Sequence, residues 1–437
     1  MQGTRGASSG RWVPATFAQH DAFTAANGAG AYRNLGTCYL LAGSLSVDRL
    51  AVALRGFVDA HDALQVCEFR VDDGVLTQVI APLAPEEQVV ELVSVQAQNA
   101  RQFEAFASRL YTADLTTIDD RAGARRFRFR LLRYSDDYFA LLVTFQHLIF
   151  DGKSLDIFAA EIWHRYAVPA PADLPGSSFS AAATRQQIRC SDDILERNSR
   201  WWSRALEPGR ISGCFTDTAD PDKFGDPSAY ETATIELGHS RLLRCRRQAA
   251  DRNITMPQAV FGALAQAIFD STTADALNIW TAVDLRRATE RETVGMFSSM
   301  VPIRIERGGL YDCIRQTQFG IVDAMRHAEV RTADKIAALT AGRADQRPRG
   351  IDVYCNYQRI SSAPADRFED SSLRVVRDGL DGPPGFHRTA AAVHLFAAES
   401  DDMLSLHLSF HLPRIAVSCA AAVAGRMRNV VADCPTT

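Results

Sequence analysis

His147 and Asp151 stand four residues apart in the stretch Tyr138–Tyr166, YFALLVTFQHLIFDGKSLDIFAAEIWHRY. An imidazole can take a proton from a nucleophile near neutral pH, and a nearby carboxylate can hold the turn that carries it. The pattern predicts that both sit at the end of a buried strand. Phe139, Leu141, Val143 and Phe145 recur at period two, His147 continues their face, and Gln146 shares the other face with Thr144. Asp151-Gly152 breaks the strand, and Ser154 is a candidate N-cap for a helix. Leu155, Phe158, Ala159, Ile162, Trp163 and Tyr166 then fall on one helical stripe. A rigid strand end suits a general base, because it fixes the ring. The same residues also fit an imidazole satisfied by a backbone carbonyl beside an Asp-Gly turn.

The elements around this stretch read as a mixed α+β chain. Pro14–Asn27 opens a helix after a Gly/Ser-rich, frayed start at residues 1–12. Thr37–Leu45 alternates like a strand, and Asp48–Leu64 is an amphipathic helix capped by Ser46 or Asp48, with Leu50, Leu54, Phe57 and Val58 inward. Asp72-Asp73-Gly74 marks a hairpin between Gln65–Val71 and Val75–Ile80. Residues 85–100 stay ambiguous, and Gln102–Tyr111 reads as a helix. Arg126–Tyr134 turns back through Ser135-Asp136-Asp137 into the opening strand, its arginines 126, 128 and 130 reading as a solvated face, with a docking patch for an acidic partner as the alternative. Val168–Ser178, rich in Pro, Gly and Ser, is the domain boundary, dividing the chain into 1–172 and 173–437. Beyond it come a helix at Ala181–Ala205, an irregular segment Glu207–Tyr230, and strands at Glu231–Leu237, Leu277–Leu285, Met300–Ile305 and Ile351–Tyr357. A Gly/Pro loop at Gly379–Gly385 precedes strands near Ala390–Ala398 and Met403–His411. Helices fill Ser240–Asn253, Thr255–Asp270, Tyr311–Glu329 and Arg414–Val431. There is no regular βαβ rhythm and no G-x-G-x-x-G, which sets a Rossmann fold aside.

Two further patterns carry less. Leu237-Gly238-His239-Ser240 resembles a phosphopantetheine attachment site, but it lies at a strand-to-helix junction where Ser240 is a natural N-cap. His407 and His411 fall in a strand pattern, so they are no helical zinc pair.

The 437 residues are 46% hydrophobic and 23% charged with a formal net charge of −4, which gives no bulk electrostatic case for nucleic acid or an anionic membrane. No run of eighteen apolar residues exists to cross a membrane, and the start has no signal-peptide core. Nine scattered cysteines without a C-x-x-C pair point to reduced thiols in a cytoplasmic protein, with no disulfide frame and no metal.

Taken in order, several blocks resemble one family. Gln146–Gly152 followed by Ser154 is similar to the HHxxxDGxS motif of nonribosomal peptide synthetase condensation domains, of the chloramphenicol acetyltransferase-like superfamily. Thr16-Phe17-Ala18-Gln19 resembles the opening S-x-A-Q. Gly43–Phe69 is similar to the long first helix, and Trp201-Trp202 stands at the helix tryptophan. Asp284-Leu285-Arg286, Val294–Arg304 and Cys355-Asn356-Tyr357-Gln358 resemble the later blocks. The resemblance covers nearly the whole chain and implies two similar α+β lobes in a V with a central tunnel. It implies that His147 is catalytic, that Asp151 pairs with Arg286 as a structural element, and that Gly152 leaves room in the tunnel. Gln146, Ser298 and Asn356 are candidate tunnel residues. Three departures stand out: Gln146 replaces the first histidine, Ala60–Gln65 lacks the two helix-end arginines, and Ser298-Ser299 replaces Asn-Thr.

The implied chemistry is amide formation by a freestanding condensation enzyme, from a carrier-protein phosphopantetheine thioester to an amine, with no bound cofactor. His147 serves as base or as orienter of the nucleophile. No activated serine or cysteine lies beside a base, so no acyl-enzyme is required. Two alternatives stay open: an acyltransferase using a coenzyme A thioester or an alcohol acceptor, and a non-catalytic module that recruits another enzyme.

Overall fold

The computed structural model describes residues 10–29, 34–117, 123–168, 178–205, 229–335, 352–359, 373–378 and 391–433. The expected boundary at 169–177, most of the segment from 207 and the loop at 379–385 lie outside them. The first half begins with β1 (Arg11–Pro14), α1 (Phe17–Ala29), β2 (Leu35–Ala42), α2 (Val47–Ala60), β3 (Val66–Asp72) and β4 (Val75–Ile80). Then come β5 (Val90–Ser94), α3 (Ala100–Thr116), β6 (Phe127–Arg133), β7 (Tyr138–Phe145) and α4 (Gly152–Ala167). The second half holds α5 (Phe179–Arg189), α6 (Asp192–Ala205), β8 (Tyr230–Gly238), α7 (His239–Asp251), α8 (Met256–Ser271), β9 (Ala276–Asp284) and β10 (Ser298–Glu306). It closes with α9 (Leu310–Arg326), β11 (Val353–Arg359), β12 (Arg374–Asp378), β13 (Val393–Glu399), β14 (Met403–His411) and a last helix, α10 (Val417–Asp433).

Each half is built on a sheet. The first is five-stranded in the order β12-β2-β7-β6-β5, the second six-stranded in the order β10-β9-β11-β13-β14-β8, and a small sheet β1-β4-β3 flanks the first. Strand β7 is buried on both faces, as a central strand must be. Phe139, Leu141, Val143 and Phe145 pack with α2 and α4 residues such as Phe57, Phe158 and Ile162, whereas Ala140 and Leu142 pack with Phe103 and Ala107 of α3. The α2 stripe is the expected one, under a Ser46 cap that accepts from the Arg49 N–H. In the second sheet Cys355, Leu395, Leu406 and Ile279 form a core under α8 and α10.

Three segments beyond residue 173 complete the first half. Strand β12 pairs antiparallel with β2, and Phe179, Val294, Met296, Phe297 and Leu373 all belong to the first half's core.

Several expectations need correction. Residues from Arg11 form a strand that pairs with β4, so the chain start is not frayed throughout. The helix read at 181–205 is two, broken at Cys190-Ser191. Gly238, not Ser240, occupies the N-cap of α7. The β6 arginines are not a solvated face. Arg126 is buried, and Arg128 and Arg130 lie 2.8 and 3.1 Å from the buried Asp114 carboxylate of α3. Cys245 is disulfide-bonded, so not every thiol is reduced, whereas Cys38, Cys67, Cys190, Cys313, Cys355 and Cys419 are buried and outside any disulfide.

Candidate active site

Strand β7 ends at Phe145, two residues earlier than the alternation, which runs to His147, carries it. Gln146, His147, Leu148 and Ile149 form a turn closed by the Ile149 N–H on the Gln146 carbonyl at 3.0 Å. The His147 Nδ1–H donates to the Phe150 carbonyl at 2.8 Å. A carbonyl only accepts, so the proton sits on Nδ1 and Nε2 is the basic nitrogen. Burial holds the His147 pKa below its ordinary value, against the Asp151 charge and the Phe150 bond, which favour the imidazolium. Phe150 stacks on Phe145 at 3.7 Å, which braces the turn from beneath.

Asp151, not Ser154, is the N-cap of α4. Its Oδ1 accepts from the Ser154 N–H at 2.9 Å. Asp151 is fully buried, and Arg286 is 2% exposed. The guanidinium clasps the carboxylate bidentately, Nη1 on Oδ2 and Nη2 on Oδ1, both at 2.8 Å. The Phe297 N–H adds a bond of 2.9 Å to Oδ2. Burial alone would raise the Asp151 pKa; the Arg286 charge and these donors outweigh it and hold the carboxyl below its usual range. Arg286 spends its remaining donors on the Thr293 and Gly295 carbonyls, Asp284 Oδ1 and Ser154 Oγ, and stacks over the Phe297 ring at 4.3 Å. Asp151 is therefore saturated by Arg286, the start of α4 and the Phe297 N–H. The ion pair implied by the resemblance is present.

The remaining candidates scatter. Gln146 is buried and turned toward β6, its Oε1 accepting from Arg126 Nη1 at 2.6 Å. Gly152 has ordinary φ, and a Cβ there would meet only Gln358 Nε2, at 3.9 Å. The glycine is demanded neither by the backbone nor by a protein neighbour, and the space above it is bounded by β11. Asn356 lies two residues from Gln358 on the same face of β11, opposite the face that carries Cys355 into the core. Ser298 opens β10 next to Phe297, in register with Asp284.

Three further residues lie near His147: Thr16 and Gln19, at the two ends of the block that resembles the opening S-x-A-Q, and Gln78, which carries no mark of a site in the sequence. Thr16 and Gln19 form a reciprocal cap at the start of α1, with the Gln19 N–H on Thr16 Oγ1 at 3.1 Å and the Thr16 N–H on Gln19 Oε1 at 3.0 Å. Gln19 Nε2 donates to the Leu148 carbonyl at 3.1 Å and to Gln78 Oε1 at 2.8 Å, and Thr16 Oγ1 donates to the Met296 carbonyl at 3.0 Å. The T-x-x-Q spacing is a readable signal for the cap and, through the resemblance, for the opening block, but not for what Thr16 and Gln19 reach. Within the Ala60–Gln65 stretch that lacks the two arginines, His61 Nε2 lies 2.9 Å from Glu161 of α4, and Asp62 accepts from the Phe179 and Ser180 N–H groups that start α5.

Comparison with known proteins decides the family, because the Condensation domain profile matches residues 11–411. The chain belongs to the condensation domain family. Among curated relatives, this condensation domain is 27% identical over 348 residues to nonribosomal peptide synthetase 30 of Fusarium vanettenii, covering 76% of the chain and 6% of that protein. It therefore spans a small part of such relatives. Its fold matches the condensation domain from Monacolin K polyketide synthase with a TM-score of 0.75 at 16% identity, covering 97% of each chain. It also matches the X-domain from teicoplanin biosynthesis, solved in complex with OxyB, with a TM-score of 0.70 at 20% identity, covering 99% of this chain and 94% of that one. The condensation fold is thus the chloramphenicol acetyltransferase-like α+β fold expected from the sequence. Among the described residues, no group of three or more His, Cys, Asp or Glu could hold a metal ion, and no helix is long and apolar enough to cross a membrane.

Proposed function

We propose that this condensation domain transfers an acyl or aminoacyl group from a carrier-protein thioester to an amine, with His147 as the proton acceptor. The observation that carries the reading is the fixed tautomer. Nδ1–H is committed to the Phe150 carbonyl on a turn held by Asp151 and Arg286, so Nε2 is the nitrogen that can take a proton. The amine nitrogen attacks the thioester carbonyl, forming the C–N bond and passing a proton to Nε2. Collapse of the tetrahedral intermediate breaks the C–S bond, and the imidazolium returns its proton to the departing thiolate. Burial keeps the ring neutral and ready. Asp151, ionised and saturated, orients the turn without joining the transfer. Holding amine and thioester in line supplies much of the rate, on the order of 7–11 kcal/mol for well-oriented reactants.

A coenzyme A donor or an alcohol acceptor would use the same geometry and yield the same kind of bond change. A second reading, recruitment of another enzyme without catalysis, is favoured by Gln146 in place of the first motif histidine and by the likeness to an X-domain. The test is turnover of the purified protein with carrier-loaded and coenzyme A thioesters, against amine and alcohol acceptors, with products read by mass spectrometry. An amide from carrier-loaded donors is expected. A protein inert with every donor that binds a partner enzyme would instead support recruitment.

A further inference from the structure

Lysine occurs only at 153, 223 and 335, and the last of these is fully buried. Lys335 Nζ donates to Ser299 Oγ at 3.0 Å and to the Met300 carbonyl at 2.8 Å, both on β10, and lies 5.8 Å from the centre of the Trp202 ring of α6. Neutral acceptors compensate a buried ammonium only in part. Its place in the fold gives it a use. Lys335 lies in the helical turn 332–335, whose Thr332 N–H and hydroxyl donate to the Asp21 carboxylate of α1 at 2.8 and 2.6 Å. The start of the same helix α1 reaches the His147 turn through Gln19 and the Met296 carbonyl through Thr16. Strand β10 in turn continues from Phe297, whose N–H holds Asp151. These contacts close a ring: His147 turn, α1, the 332–335 turn, β10, Asp151.

We propose that Lys335 is a positioning residue: by tying β10 to the turn that grips α1, it fixes the His147 turn of the first half against the Arg286 loop of the second. Geometry carries this, and electrostatics supports it. Burial pushes the Lys335 ammonium down to about 8, against the charges of Asp21 on α1 and Asp334 on its own turn. Among the described residues, the other groups that face it are neutral: Ser299 Oγ and the Met300 carbonyl from β10, and the Trp202 ring from α6. Burial also raises the Asp21 carboxyl, against the Thr332 bonds and the Lys335 charge. A lysine whose folded pKa lies below the unfolded value of about 10.4 binds fewer protons folded than unfolded between the two, so stability rises with pH across that window. Below it the protonated group costs stability. Lys335 is therefore kept at the expense of the fold.

The kinetic arm of the test rests on the acyl-transfer reading; the exchange arm does not. Lys335→Met keeps the side-chain length and removes the charge. It should melt no lower than wild type at pH 7, yet speed hydrogen exchange at the Phe297 amide by about tenfold. It should lower kcat by about tenfold with KM unchanged, and it should lack the alkaline limb near pH 8 expected of the wild type. Thr332→Val, which removes one of the two donors to Asp21 and leaves the buried charge alone, should speed the same exchange, and it carries the test should Lys335→Met fail to fold. Unchanged exchange in both variants overturns the proposal whatever the activity. A wild type inert with every donor, with faster exchange in both variants, supports the positioning role and removes the acyl-transfer reading alone.

Discussion

A carbonyl three residues downstream decides which nitrogen of His147 is basic, and burial decides when it is available. Since burial lowers the His147 pKa, the acid limb of kcat/KM should fall below the ordinary histidine value of about 6.5, and activity should be flat from there to neutral pH. A limb above that value would assign the proton to another group. Gln146→His should change turnover by less than about tenfold, or 1.4 kcal/mol in barrier. It removes the acceptor 2.6 Å from the buried Arg126 guanidinium, so its melting temperature should fall, by about 1.5–3 kcal/mol in stability. A gain of tenfold in rate would show instead that the site has drifted from catalysis. Alternation along β7 points Gln146 away from His147, and the structure keeps that direction for another reason. The strand ends at Phe145, and Arg126 draws Gln146 toward β6. Pattern reading extends a strand until something breaks it, and the local turn that breaks this one has no sequence mark before Asp151-Gly152.

At the scale of elements, the start of α4 is where cap and ion pair coincide. Asp151 caps its helix, holds Arg286 and receives the Phe297 N–H, so one side chain joins α4 to the loop between β9 and β10. Asp151→Asn and Arg286→Ala should each cost on the order of 3–5 kcal/mol and lower activity, and the double variant should be no worse than either single one. Strictly additive losses in thermal melts would count against the pair. The depressed Asp151 carboxyl contributes stability that is present above its unfolded value of about 3.9 and is lost as pH falls through the lower folded value. Asp151→Asn should therefore flatten the acid end of the stability profile. The pairing of Asp151 with Arg286 is legible only through the resemblance. The cap at Thr16–Gln19 is legible in its spacing, but its uses are not, because Leu148 lies 129 residues from Gln19 and Met296 lies 280 from Thr16. Local pattern sees a helix start; it does not see what the start touches.

Across the whole molecule, the two halves share parts. The stripe of α2, the Asp73-Gly74 hairpin and the strand pairs of the second sheet follow from periodicity and turn chemistry, with Asp73 and Gly74 both at positive φ as that turn requires. Strand β12 is not legible, since five residues at a sheet edge carry too little period, and its partner β2 lies more than three hundred residues upstream. Leu373, fully buried in the first half's core, makes the sharing testable. Leu373→Ala should cost about 2–5 kcal/mol and expose β2 amides to hydrogen exchange, whereas a position serving only the second half would leave β2 unchanged. The shared core and the Asp151–Arg286 clasp together set His147 where the two halves meet, and acyl transfer there is the central claim. Its most direct test is single-turnover amide formation from a preloaded carrier-protein thioester and an amine, comparing wild type with His147→Ala at matched melting temperature. The expected result is product from the wild type and none above background from the variant, with equal fold stability. Product at the wild-type rate from a normally folded His147→Ala protein would contradict the account.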